Sequence, residues 1–238
     1  MNKFRLVMTL AILQLSGCAT LDSVVEEENS KTKVYIDQSN TLNYEGSITE
    51  EANTWLFKLY EQLEAKPQNL KVSSPGGNVM LGLELGNWIF DRQLNVIVDR
   101  VCASSCANYV FPAGKTKYLH KHSALIWHGN SYQENIDKMY QEGEEGTVKY
   151  REEENAFYKK VNVHPMLAEY GHKEFTFWSF LYHYFKDTVG YDYSISDMQK
   201  FGLTNIVLLD KTWEWRKHYP QHHVIRVKVK AEDLVLQP

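Results

Sequence analysis

The sequence predicts an α/β fold with a largely parallel sheet flanked by helices. Short runs rich in β-branched residues alternate with amphipathic helical patterns between residues 34 and 128. That alternation implies right-handed crossovers, which bring successive strands into one sheet. At 238 residues, with 43% hydrophobic and 13% aromatic content, the chain can bury one sizeable core.

The elements follow in order. Val34-Tyr-Ile36 and Thr41-Leu-Asn-Tyr-Glu-Gly46 read as two strands. Ser47-Ile-Thr-Glu50 has the form of a capping box. Trp55, Leu56, Leu59, Tyr60 and Leu63 then recur on one helical face. Leu70 to Ser73 is a strand feeding the turn Ser74-Pro-Gly-Gly77. Val79 to Phe90 is a second apolar helix, with Gly82 and Gly86 spaced for close packing. Asn95 to Asp99 is a strand, and Cys106 to Phe111 starts a helix that Pro112 and Gly114 break. Tyr118-Leu119 and Ala124 to Trp127 are strands.

Beyond them, residues 134–154 form an acidic insertion read as solvated. Phe157 to Tyr184 is aromatic and helical, and reads as packing or an oligomer interface. Ser194 to Gly202 is a short capped helix, Ile206 to Leu209 a strand, and Val224 to Lys230 an edge strand within a C-terminal extension, 211–238.

The N-terminus bears on compartment. Lys3 and Arg5 precede an apolar run, Val7 to Leu15, too short to span a bilayer as a mature helix. It ends in Leu15-Ser16-Gly17-Cys18, which resembles a bacterial lipobox. The resemblance implies a signal peptide over 1–17, lipid on Cys18 and a flexible tether over 18–32. With Ala19 after the cysteine, it also implies an outer-membrane lipoprotein facing the periplasm. The remaining 221 residues carry a formal charge of −6 instead of −4. An acidic body argues against nucleic-acid partners. In an oxidising compartment Cys102 and Cys106 could pair, through a non-helical turn, or remain buried thiols. A metal site using His120 or His122 is disfavoured, because no carboxylate stands beside them.

Three fragments share one chemistry. The Gly76-Gly77 turn can present backbone N–H groups to an anion. Cys102-Ala-Ser-Ser-Cys106 can present a serine hydroxyl entering a helix. Leu125-Ile-Trp-His128 can end a strand on a base. Ser105 fits the nucleophile position better than Ser104, because Cys106 N–H would then face the same pocket.

These motifs resemble the Clp protease / signal-peptide-peptidase / crotonase superfamily, and most closely its ClpP-like periplasmic serine proteins. Ser-Pro-Gly-Gly ends a strand, Ser105 lies nine residues before Gly114, and His128 ends the next strand. Leu42 to Ile48 and Ser194 to Leu203 extend the similarity across about residues 34–208. The resemblance implies ClpP/crotonase-like repeated β-β-α units in a single domain over 33–238. It implies Ser105 as nucleophile, His128 as base, and Gly76, Gly77 and Cys106 around the oxyanion. The family's third triad residue falls on Gly190, so Asp192, two residues on, is the first substitute and Asp187 the second. The expected activity is a lipid-anchored serine hydrolase, a peptidase by preference, acting on a peptide or protein without cofactor or metal. The alternative is an inactive binding or assembly protein on the same fold. Relatives form rings or trimers, so a homo-oligomer is also implied. Crotonase-like acyl-CoA chemistry would leave the Ser/His pair without a role.

Overall fold

The computed structural model describes residues 31–173, 189–218 and 224–234. The expected signal peptide, Cys18 and most of the expected tether lie outside these, as do Asp187, His222, His223 and much of the aromatic region. The last two tether residues belong to the body: the Thr32 hydroxyl donates to Ser47 O at 2.8 Å, and Lys31 pairs with Glu51.

Among the described residues the main sheet has seven strands. β1 (Lys33–Ile36) is an antiparallel edge on β2 (Leu42–Glu45). β2, β3 (Asn69–Ser74), β4 (Asn95–Ala103), β5 (Lys117–Leu119) and β8 (Ile206–Leu208) then run parallel in that order. The far half of β4 pairs instead with β6 (Ala124–Ile126), Ala103 opposite Ile126. The expected α/β class with a mostly parallel sheet holds. The C-terminal edge strand β9 (Val224–Val227) does not join this sheet; it pairs in parallel with β7 (Gly190–Tyr193) in a separate two-stranded sheet.

Helices α1 (Glu50–Gln62) and α2 (Val79–Asp91) make the crossovers. The cap of α1 is Thr49 rather than Ser47: its side chain accepts from Ala52 N, while Ser47 O takes the Thr32 hydroxyl. Asn78 caps α2 by accepting from Met80 N and Leu81 N. The two α2 glycines do pack closely. A Cβ on Gly82 would lie 2.8 Å from the Ser105 Cβ, and one on Gly86 2.8 Å from Tyr109 O. After β4 a π-helical turn (Cys106–Val110) runs into the short helix α3 (Phe111–Ala113); Pro112 sits within its first turn rather than breaking it, and the helix ends at Gly114. Val72, Val96, Val98, Tyr109, Phe111, Trp127 and Phe157 belong to the fully buried core beneath it.

The acidic insertion corrects the sequence reading. It forms α4 (Glu134–Gln141) and α5 (Glu145–Val161), and α5 is not simply solvated. Tyr150, Arg151, Glu154, Phe157 and Tyr158 form a buried face on it. Beyond α5 lie a 3-10 turn (Pro165–Ala168) and helix α6 (Tyr170–Lys173). Ser194 caps α7 (Ile195–Lys200), accepting from Asp197 N, as the sequence suggests. Short helix α8 (Trp215–His218) follows β8.

Candidate active site

The turn after β3 needs its glycines. Gly76 has φ +102°, and a Cβ there would lie 2.6 Å from the Ser104 Cβ. A Cβ on Gly77 would lie 2.3 Å from Ile48 O. The turn thus lies directly against the end of β4. Its N–H groups are not equivalent. Gly76 N–H donates to the Ser74 hydroxyl at 3.1 Å, so the expected oxyanion donor is already engaged. Gly77 N–H meets no acceptor among the described residues.

Cys102 and Cys106 form a disulfide with Cα atoms 5.2 Å apart, across the non-helical turn their spacing requires. Ser104 supplies that turn with φ +55°. The bridge pins the end of β4 to the first helical residue, with both serines inside the loop. A loop this short restrains the unfolded chain by about 2 kcal/mol on the chain-entropy account. Cys102→Ser/Cys106→Ser is therefore expected to lose about 2 kcal/mol in a denaturant titration.

Ser105 is 1% exposed, and its hydroxyl donates to Gly77 O at 2.8 Å. It makes no hydrogen bond to His128. Cys106 N–H and Ser105 N–H both point out of the helix start and meet no acceptor among the described residues.

His128 lies one residue past Trp127, which is fully buried, bridges to Tyr191 and donates from Nε1 to Ala107 O. That anchor fixes where His128 leaves the sheet. The histidine keeps an exposed edge. Loss of water around the rest of the ring still holds its pKa below the ordinary histidine value, and His172 adds to the lowering. Its carbonyl accepts from Gln133 Nε2 at 3.2 Å and His172 Nε2 at 2.7 Å.

Asp192 is not the partner of His128. It is fully buried, and both carboxylate oxygens are occupied. Arg226 binds them in bidentate fashion at 2.8 and 2.7 Å, Arg216 donates at 2.9 Å, and Trp215 Nε1 at 3.2 Å. Burial nevertheless outweighs the arginines and keeps its pKa above the usual aspartate value. The expected supporting carboxylate is instead the junction between β7, β9 and α8. At Gly190 a Cβ would lie 2.4 Å from Trp127 O, so no aspartate fits there without moving β6.

A cleft of about 660 Å³ opens beside this region, lined by Tyr132, Gln133, Asp137, Arg151, Glu169 and His172. Gln133 and His172 join it to the His128 backbone. A larger hollow of about 970 Å³ between β1 and α1 includes none of the candidate site residues. Arg151, on the wall of the smaller cleft, belongs to a buried network that composition hides. Glu154 accepts from Tyr109 OH at 2.6 Å and from Ser131 Oγ at 2.5 Å. Arg151 donates to Ser131 Oγ at 2.8 Å and to Asp137 at 2.9 Å, with its guanidinium 3.7 Å from the Tyr132 ring centroid.

The other histidines are placed elsewhere. His120 contacts Asp210, and His122 stacks on His218. Among the described residues no cluster of His, Cys, Asp and Glu could hold a metal ion, and no helix is long and apolar enough to cross a membrane. The chain matches no protein-family model and no curated protein.

Proposed function

We propose that the protein is a serine hydrolase, a peptidase by preference, built on a ClpP/crotonase-like arrangement and held at the periplasmic face of the outer membrane by lipid on Cys18. The supporting observation is the convergence at one point of the sheet. Open N–H groups of Gly77, Ser105 and Cys106 and the Ser104-Ser105 turn lie where β3, β4 and β6 terminate, and His128 follows the last residue of β6 by two positions. Acyl transfer needs these parts: a hydroxyl, a base to take its proton, and donors aimed at the developing oxyanion. His128 can serve as the base because its lowered pKa keeps the ring neutral near pH 7. The cleft beside it is lined by polar side chains, among them Gln133, Asn135 and His172, for holding a polar peptide.

The test is covalent labelling of the folded full chain with a fluorophosphonate between pH 6 and 9. Stoichiometric labelling, slowed by His128→Gln about 10²–10⁴-fold, is the expected result; a chain that takes no label contradicts the reading. The pH profile has a definite sign. The base must be neutral to accept a proton, so the rate falls as pH drops through the His128 pKa. The midpoint of that fall should lie below about 6.5, the free histidine value.

The second reading is a binding or assembly protein without hydrolysis. The placement of Asp192 favours it, because the arginines take the carboxylate that would orient a catalytic histidine. It predicts a folded protein that never labels.

A further inference from the structure

We infer that Asn108 is the positioning residue that holds His128 in register with the serine turn. This rests on the hydrolase reading above and names what supports its base in place of Asp192.

The segment carrying His128 is gripped on both sides by the helix that starts at the serine turn. On one side, Trp127 Nε1 donates to Ala107 O at 3.2 Å. On the other, Asn108 Nδ2 donates to Gly129 O at 2.9 Å. Consecutive residues of the helix thus fix the two residues that flank His128. Asn108 also reaches back to the serines, because its backbone N–H donates to Ser104 O at 2.8 Å. It belongs to the π-helical turn Cys106–Val110, which follows Ser105 directly. Such turns recur at functional sites. The other polar side chain of that turn, Tyr109, bonds instead to Tyr150 and Glu154.

Gly129 makes the grip effective. Its φ is +124°, and a Cβ there would lie 2.2 Å from Gln133 Cδ. Gln133 Nε2 in turn donates to His128 O. The backbone just past His128 is therefore fixed from two directions, and moving Gly129 O moves the base with it.

Packing alone does not account for an asparagine here. Asn108 is 3% exposed, and its neighbours Ala107, Tyr109 and Val110 are fully buried. Its Oδ1 is buried and meets no partner among the described residues. A buried acceptor without a donor costs stability. Half of the amide thus works against the fold, while the other half holds Gly129 O.

Acyl transfer is sensitive to such placement, since a shift of about 1 Å can cost about 10²-fold in rate. Asp192 is committed to Arg216 and Arg226 and cannot orient the ring. Asn108 sets the base through the backbone instead, from the helix that begins at the nucleophile.

The experiment measures fluorophosphonate labelling rates of the full chain. Asn108→Leu and Asn108→Ala are each compared with wild type, alone and combined with His128→Gln. Both remove the donor to Gly129 O; leucine keeps the volume and alanine leaves room for water, so either serves if the other fails to fold in a thermal melt. Each is expected to slow labelling about 10²-fold alone. In the His128→Gln background the same change should alter the rate less than about two-fold, because the residue acts through the base. The freed ring also gains water, so the midpoint of the fall in rate at low pH should rise toward about 6.5. Wild-type labelling by a folded Asn108 variant, or equal slowing with and without His128, overturns the assignment and leaves the hydrolase reading standing. No label on folded wild-type protein overturns both.

Discussion

Glu154→Ala is expected to cost about 3–5 kcal/mol, a large fraction of the total stability of a domain this size. The residue sits in the middle of α5 with no exposed surface. Its carboxylate accepts from Tyr109 OH, Ser131 N–H and Ser131 Oγ. Tyr109 OH also meets Tyr150 OH at 2.8 Å, and Arg151 reaches both the Ser131 hydroxyl and the Ser131 carbonyl. Truncation leaves these donors buried without their acceptor, each at about 1–3 kcal/mol, and adds a cavity. Glu154→Gln keeps the shape and should lose less. The comparison has a pH signature. Burial raises the Glu154 pKa above its ordinary 4.5, partly offset by the hydrogen bonds from Ser131 and Tyr109. A raised folded pKa contributes stability that is present below the unfolded value and lost as pH rises through the folded one. Wild type should therefore gain on Glu154→Gln as pH falls toward 4.5, read from guanidinium unfolding midpoints of the two proteins. The same network holds the Ser131–Gln133 segment under the His128 carbonyl. Loss of Glu154 should thus weaken the proposed labelling before global unfolding.

Arg226→Ala is the second large effect, again about 3–5 kcal/mol. It removes the bidentate partner of a fully buried carboxylate and leaves Asp192 with Arg216 and Trp215. The intact cluster need not be strongly stabilising, since desolvation already outweighs the arginines at Asp192. The penalty comes from leaving a buried acid short of partners. The variant also separates two roles for Asp192. As the junction of β7, β9 and α8, it predicts parallel losses of stability in Arg226→Ala and Asp192→Ala. As a catalytic orienter, it would predict that Asp192→Asn stays folded and loses labelling alone. Thermal melts together with labelling rates of the surviving folded fraction distinguish these outcomes.

The alternation of β-branched runs and apolar helix faces made the β2-to-β6 path legible, because local patterning and crossover handedness reinforce each other there. The close approach at Gly82 and Gly86 was readable for the same reason: glycines four apart on an apolar face serve close packing. Glu154 was missed because the charges of residues 134–154 were weighed as composition. Their period held the signal, since Arg151 and Glu154 fall on the stripe of Tyr150, Phe157 and Tyr158. Asp192 could not be placed from sequence, because its partner Arg226 arrives through a strand pairing between distant segments. The sequence separates Ser105 from Ser104 by its nine-residue spacing to Gly114, and the two backbones differ, at φ −54° and φ +55°.

The central claim is that β3, β4 and β6 end in an acyl-transfer site, and a crystal structure of the phosphonylated protein tests it most directly. The account predicts phosphorus on a serine of the Ser104-Ser105 turn. The phosphonyl oxygen should lie about 2.7–3.1 Å from Gly77 N–H and from the N–H of the residue after the nucleophile. His128 should turn its ring toward the leaving-group side. A phosphonyl oxygen facing solvent with Gly77 N–H unused, or an adduct on a residue outside this turn, would contradict it.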